Sequence, residues 1–493
     1  MQDEKKYIAD RIGNQYQDWH NEGIIIASGT NTGKTTFICN VLIPYAIKQK
    51  KTVLYLVNRK TLYAQVKAKI INYTNVNIMT YQALQSLIKK ETDIEHYDYI
   101  IADECHYFLT DGLFNQYTDL SFRWLRMQEN NVVIYMSATG NHLFSGLRIS
   151  GIVRQGRTYC IENDYSNIDA VYFYEKKQIT KVIDSILLQC NEDKILVFVN
   201  SIKRLKEMHC IYGNKASYLC SKFHGTDKSL TFVDYECVND CQFQTRILFA
   251  TKTMDNGIDL KDRKIKHVFS EIFDIDSAIQ AIGRKRPIDA DDTYSIYFLR
   301  YNNRAIRQFA NIEESNLLPV QKLMYDRESF IDEYKNNREF LRKNKILYGK
   351  ITDGDDLGTI HINHIVRQKF ERDVKIYHAM IQDGYENVFL NFLGNAFKSK
   401  IKELKIDKEK SDAFLDYLKS ISGDKLFKPE QKLLKDKFRI ILGLNDRYMG
   451  INTLNGKLID CKYQYEITSH QETKGENRKK RYWMIAPLGG GLT

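Results

Sequence analysis

A chain of 493 residues exceeds what one ordinary hydrophobic core organises, and at roughly 150 residues per domain it predicts about three domains. Hydrophobic residues make up 43% and charged residues 27%, with only five prolines, which excludes a collagenous, disordered or low-complexity chain. The excess of 73 Lys and Arg over 62 Asp and Glu, a formal +11, favours a polyanionic partner but is weak without a site.

The opening Met1-Gln2-Asp3-Glu4-Lys5-Lys6 lacks the apolar centre of a signal peptide, and no run of about 18 apolar residues could span a bilayer. A cytoplasmic protein that avoids membranes is expected. Nine cysteines at irregular spacing read as reduced thiols. Cys220, His224, Cys237 and Cys241 are spaced more loosely than a zinc knuckle and fall where a sheet needs a strand and helix, so a structural reading outweighs zinc.

Ile24-Ile25-Ile26-Ala27 is a short β-branched run, followed by a Gly and Thr cluster and a helix-like stretch from Thr36 to Ala46. Further apolar runs start at Val53, Tyr99 and Val132, separated by amphipathic stretches. Strands buried on both faces of a parallel sheet read this way, with crossovers long enough to hold a helix. A second set begins at Ile195, Arg246, Val268 and Tyr294, so two α/β sheets in tandem are predicted, joined near residues 150 to 170.

Ser28-Gly29-Thr30-Asn31-Thr32-Gly33-Lys34-Thr35, continued by Thr36, follows the first strand and opens a helix, the setting of a phosphate-binding loop. Glycine lets backbone amides approach phosphate, the helix N-terminus adds positive charge, Lys34 can reach the β and γ phosphates, and Thr35 can ligate Mg²⁺. The pattern GxxxxGK[ST] is met with Ser28 in its first glycine position, and on the loop alone a simple helix-capping turn stays open. Asp103 and Glu104 follow the strand ending at Ala102, where ligands gather in open α/β sheets. Asp103 can hold Mg²⁺ through water, and Glu104 can orient or deprotonate the attacking water. A solvated acidic turn is the alternative, weakened by the lysine loop upstream in the same domain.

With Asp103-Glu104-Cys105-His106 as its box, the chain resembles a DEAD/DEAH-box helicase of superfamily 2 over about residues 16 to 300. The resemblance implies two tandem RecA-like domains, at 1–155 and 156–304, with ATP and Mg²⁺ between them. It implies that Val57-Asn58-Arg59-Lys60 and Met79-Thr80-Tyr81-Gln82 grip a strand backbone through Arg59 and Thr80, and that Ser137-Ala138-Thr139 links hydrolysis to domain movement. In the second half, Asn200 falls in a segment like the fourth motif. Ala250-Thr251 with Gly257-Ile258-Asp259 resembles the fifth, where Thr251 contacts nucleic acid and Gly257 and Asp259 sense nucleotide. Gln280-Ala281-Ile282-Gly283-Arg284-Lys285-Arg286 resembles the sixth, whose arginines reach the γ-phosphate. The common spacing would place a second arginine at Pro287, so the finger is Arg284 or Arg286, with Arg286 preferred. Gln17, in Tyr16-Gln17-Asp18-Trp19, stands where relatives place a glutamine that reads adenine.

Residues 305–424 read as a helical accessory region. Residues 425–493 give a helix from Pro429, a second near Ile451, and two strands flanking a loop with Lys474, Arg478, Lys479 and Lys480. This pattern suits either a winged helix or, more readily, a small α+β packing domain through which protein partners would bind. The expected activity is that of an ATP-dependent helicase or translocase, acting as a monomer on nucleic acid, with DNA favoured over RNA. The alternative is an ATP-gated nucleic-acid clamp or loader that does not separate strands. A nuclease subunit lacks a second carboxylate and lysine constellation.

Overall fold

The computed structural model describes residues 7–29, 32–162, 164–190, 192–220, 238–239, 241–251, 259–349, 357, 360–442, 444 and 449–488. The chain divides into two compact units, one reaching Ile401 and the other starting at Lys402.

The first unit begins with a six-stranded sheet: β1 (Gly23–Ser28), β2 (Val53–Val57), β3 (Val76–Thr80), β4 (Tyr99–Ala102), β5 (Val132–Ser137) and β6 (Thr158–Ile161). Its order is β3-β2-β4-β5-β1-β6, and every pair is parallel. Alternate residues of a strand face opposite sides, so Ile24, Ile26, Tyr55, Ile101 and Ile134 build the core on one face, while Ile25, Leu54, Ile100, Val133 and Tyr135 build it on the other. Because β4, β5 and β1 are neighbours in register, with Ala27 opposite Ser137 and Ala102 opposite Tyr135, their C-terminal ends open at one edge. The first lobe runs past residue 155, because β6 returns to pair with β1.

The second sheet comprises β7 (Ile168–Tyr174), β8 (Lys194–Phe198) and β9 (Ala216–Leu219), then, after a small ribbon of β10 (Val238–Asn239) and β11 (Gln242–Phe243), β12 (Ile247–Ala250), β13 (Ile265–Ser270) and β14 (Tyr294–Leu299). Its order is β7-β14-β13-β8-β12-β9, again wholly parallel. Two RecA-like parallel-sheet lobes therefore stand in tandem, followed by a mainly helical region.

Within that region the helix His364–Asp383 is fastened to both lobes. At its start, Asn363 caps Val366 N at 3.1 Å and donates to Gln116 O at 3.0 Å and Thr118 Oγ1 at 2.8 Å, while His364 N donates to Asp119 Oδ1 at 3.2 Å. Ile365 enters the core of the first lobe. One to two turns later, Lys369 meets Asp274 at 2.9 Å and Arg372 meets Asp276 at 2.8 Å, both acids at the start of the second-lobe helix Ile275–Ile282. Lys400 O then accepts from Val171 N at 2.8 Å, on the edge strand β7.

The second unit contains the helices Lys405–Ser420, Lys428–Leu442 and Ile451–Asp460 and the antiparallel strands Tyr465–Gln471 and Arg481–Pro487. Leu426, between the first two helices, bridges to Trp483 as a third short strand. Phe414, Leu418, Phe438, Leu454, Leu458, Ile467 and Ile485 form its core. This unit begins before residue 425 because the helix carrying Phe414 and Leu418 packs here. Three helices closed by a hairpin is the element order of a winged helix.

Candidate nucleotide site and the cleft between the lobes

The loop after β1 turns into its helix at Gly33, whose φ of 81° and ψ of 20° lie in the left-handed region that glycine tolerates without strain. The helix opens at Lys34 and passes through a π turn at Ile38–Leu42. Thr32 Oγ1 donates to Gly29 O at 2.7 Å and to Ser28 Oγ at 2.9 Å, which closes the loop on itself. Lys34 Nζ lies on the carbonyls of Ser28 at 2.6 Å and Gly29 at 2.8 Å, inside the curve of the loop. Burial lowers the pKa of this amine, Glu104 and Asp103 oppose that shift, and the guanidinium of Arg286 reinforces it. Thr35 hydrogen-bonds the Tyr55 hydroxyl.

Tyr55 OH in turn donates to Asp103 Oδ2 at 2.8 Å, and Tyr81 OH donates to Asp103 O at 2.8 Å. Asp103 is 2% exposed. Burial and the neighbouring Glu104 push its pKa up to about 6, so its surroundings disfavour the charged form and a cation would offset that cost. Glu104 sits at φ 49°, a left-handed backbone that a non-glycine residue adopts only under constraint. Burial would raise its pKa, but the His106 hydrogen bond, with His106, Lys34 and Arg284 as charges, brings it to about 2. The first carboxyl thus holds its proton more tightly than an ordinary aspartate, and the second less tightly than an ordinary glutamate.

A polar chain leaves Glu104 for the other lobe. His106 Nδ1 lies 3.2 Å from Glu104 Oε2 and 3.0 Å from Ser137 Oγ, and that hydroxyl accepts from Thr139 N at 3.1 Å. Gln280 Nε2, on the second-lobe helix Ile275–Ile282, donates to Thr139 Oγ1 at 2.6 Å.

After that helix the chain is extended. Leu260 N donates to Arg284 O and Arg286 N to Leu260 O, each at 2.8 Å, around a bridge at Lys285. Side chains alternate along an extended chain, so Lys285 turns inward to Asp292 at 2.5 Å while Arg284 and Arg286 share the other side. Asp259 Oδ1 lies 3.5 Å from Arg284 and 3.0 Å from Arg286. These two guanidiniums are the charges that act across the cleft on Glu104 and Lys34.

The remaining expected residues are spread more widely. The segment carrying Gln17 lies beside the loop, since Ile8 N donates to Thr32 O at 2.9 Å; Gln17 itself is exposed, with its amide 3.4 Å from Tyr16 OH. Arg59 pairs with Asp111 at 2.5 Å, and Thr80 accepts from Ala83 N at 3.1 Å as a helix cap. Asn200 donates to Glu271 O and, at 2.8 Å, to Tyr301 OH. Thr251 follows β12, its amide on Leu219 O at 3.1 Å. Thr36 continues the loop helix. Thr30, Asn31 and Gly257, like His224 and Cys237 of the zinc set, lie outside the described residues. Sequence reasoning missed Tyr55 and Tyr81, which hold Asp103; a hydroxyl in the otherwise apolar Val53–Val57 run was the available signal.

Residues 67–143 match the DEAD/DEAH box helicase family, and residues 177–286 match the helicase conserved C-terminal domain. Among solved structures, S. cerevisiae Dbp5 bound to RNA and ADP BeF3, and a variant of it in the same complex, each resemble the chain at TM-score 0.42 and 14% identity, over 60% of this chain and 83% of theirs. No curated protein matches it in sequence. With one helicase-domain match on each side of the cleft, the chain is similar over these residues to the DEAD/DEAH-box helicases of superfamily 2.

Proposed function

We propose that the chain hydrolyses ATP between its two RecA-like lobes and uses the cycle to move along a nucleic-acid strand. The observation that carries this reading is the shared cleft: Arg284 and Arg286 of one lobe act on Glu104 and Lys34 of the other, and Gln280 bonds Thr139 across the gap.

Lys34, desolvated and lying on loop carbonyls, is placed to exchange those carbonyls for phosphate oxygens. Asp103 and Thr35 are the residues that would hold Mg²⁺; a buried carboxylate with raised pKa fits a site that a dication completes. The ion would neutralise charge on the β and γ phosphates. Glu104, kept ionised, orients the attacking water and accepts its proton. Arg286, with Arg284 beside it, stabilises negative charge on the transferring group, an effect available only with the lobes together. ATP therefore favours closure by its differential affinity for the closed state, and hydrolysis removes that bias. Arg59, Thr80, Asn200 and Thr251 are proposed to grip the strand by its backbone, which gives little base specificity and strong salt sensitivity.

The helix His364–Asp383, fastened to both lobes, limits their excursion and favours a second reading, an ATP-gated clamp. Two assays test these readings: ATPase rate titrated with single-stranded DNA, duplex DNA and RNA, and strand displacement with and without ATP. Stimulation with displacement supports the motor, and ATP-dependent binding without displacement supports the clamp. A rate indifferent to all three nucleic acids would overturn both.

A further inference from the structure

We propose that the unit from Lys402 onward is a second nucleic-acid site, one that binds duplex DNA with the helix Ile451–Asp460 in the major groove and the loop between the last two strands along the phosphates. This goes beyond the single-strand grip of the lobes and needs no nucleotide.

Charge is the first observation. From Lys402 onward there are 19 Lys and Arg against 13 Asp and Glu, a net +6 out of the chain's +11. The excess gathers on the hairpin, where Lys474, Arg478, Lys479, Lys480 and Arg481 are all exposed. Three cations elsewhere in the unit are paired: Lys425 with Glu472 at 2.5 Å, Lys419 with Asp416 at 3.1 Å, and Arg439 with Asp436 at 2.9 Å. Among the described residues no carboxylate comes within ion-pair distance of the five hairpin cations. Of the loop's own acids, Glu472 is taken by Lys425, which leaves only Glu476 at the tip. A cluster of uncompensated cations repels itself and is relieved by phosphate.

The hairpin is also built to hold its shape. Glu472 N donates to Lys480 O at 2.9 Å, Lys479 N to Glu472 O at 2.8 Å, and Arg478 N to Gly475 O at 3.1 Å; Gly475 and Lys479 take positive φ of 72° and 71°. A tight turn of this kind presents its cations from a fixed backbone, so less ordering entropy is lost on binding.

The helix supplies the second observation. Leu454 and Leu458 bury one face, and Asn455 ties the helix to the hairpin by accepting from Ile467 N at 2.8 Å and donating to Ile467 O at 3.0 Å. Its opposite side is exposed at Asn452 and Gly456, and a side chain added at Gly456 would meet no atom within 4 Å. A helix anchored on one side, open on the other at Asn452, Gly456 and Ile459, and set beside a cationic loop matches a groove flanked by phosphates. The major groove of B-form DNA, about 12 Å wide, admits a helix, whereas the deep, narrow major groove of A-form RNA does not. The occupant is therefore DNA duplex.

The test is fluorescence anisotropy with the full chain and a labelled duplex of about 20 base pairs, two helical turns, without nucleotide. Replacing Lys474, Arg478 and Lys479 together by Ala should weaken binding roughly tenfold or more and reduce the slope of log affinity against log salt by about 3. Gly456→Trp fills only open space, so it should fold as well as the parent while weakening the duplex complex by a similar factor. Duplex RNA of equal length should compete poorly. Unchanged DNA affinity in the triple variant, unchanged affinity in Gly456→Trp, or equal competition by duplex RNA would each overturn the proposal.

Discussion

Gln280 Nε2 donates to Thr139 Oγ1 at 2.6 Å, so the helix of one lobe that precedes the two cleft arginines is bonded to the loop of the other lobe that follows β5. Through Ser137 and His106 the same chain reaches Glu104. If the chain couples hydrolysis to lobe contact, Thr139→Val and Gln280→Ala should each slow ATP turnover, and the double variant should be little slower than either single one. A double-mutant cycle on kcat/KM should give a coupling of about 1 kcal/mol or more, the range for residues in direct contact. Additive losses would break the proposed link.

Lys34→Ala should abolish hydrolysis, because it removes the amine that lies on the loop carbonyls of Ser28 and Gly29. Glu104→Gln keeps the shape but loses the anion that holds the water, so fluorescent-nucleotide binding should persist while turnover falls about 10²-fold or further. Normal turnover in either variant would remove the nucleotide site from this cleft.

The residues that could be read from the chain are those set on the ends of buried strands. Lys34 and Asp103 follow β1 and β4, Ser137 ends β5, and adjacency of those strands is what brings the three together. Tyr55 and Tyr81 could not be read, because their apolar rings fit the core pattern while their hydroxyls alone reach Asp103. The pairing of Arg284 with Arg286 was ambiguous from spacing; the extended backbone at Lys285 turns both to one side. Likewise, the bonds that hold the Asn200 amide to Glu271 O and Tyr301 OH come from more than seventy positions downstream, which no local pattern encodes. The helix binding both lobes is legible only as part of a helical region, since its partners at Thr118 and Asp274 come from distant segments.

Arg286 and Arg284 share Asp259. Arg286 bears on Lys34 at the phosphate loop, and Arg284 on Glu104. Arg286→Ala should therefore lower kcat by about 10³-fold or more, the loss typical of a removed arginine finger, with nucleotide affinity changed less. Arg284→Ala should cost less. Steady-state ATPase kinetics on the two variants rank them, and the reverse order would reassign the finger to Arg284.

Lys369 lies 4% exposed at its side chain between Asp274 and Asp373, with Arg372 bridging Asp373 to Asp276. Lys369→Met keeps the bulk but leaves Asp274, Asp276 and Asp373 against Arg372 alone. Breaking one partner out of a buried ion cluster costs about 3–5 kcal/mol, and thermal unfolding should register it. Asn363→Ala, at the other anchor of the same helix, removes a cap and two donations to the first lobe and should cost about 1–2 kcal/mol. Equal losses would mean that the ion cluster does not fasten the second lobe.

Glu313 faces the same cluster, its Oε1 accepting from Tyr377 OH at 3.1 Å. Burial, then the negative charge of Asp373, raises its pKa from 4.5 to about 8, with Lys369 opposing. Between those two values the unfolded chain has released the proton that the folded chain keeps. Folding therefore takes up a proton, and stability drains away as pH climbs from about 4.5 towards 8. Glu313→Gln carries no ionisable proton and escapes this loss. Thermal unfolding of parent and variant should nearly coincide at about pH 5, and the variant should melt higher at about pH 9, by up to a few kcal/mol in stability. A variant that gained nothing between those pH values would mean that Glu313 ionises freely in the folded protein.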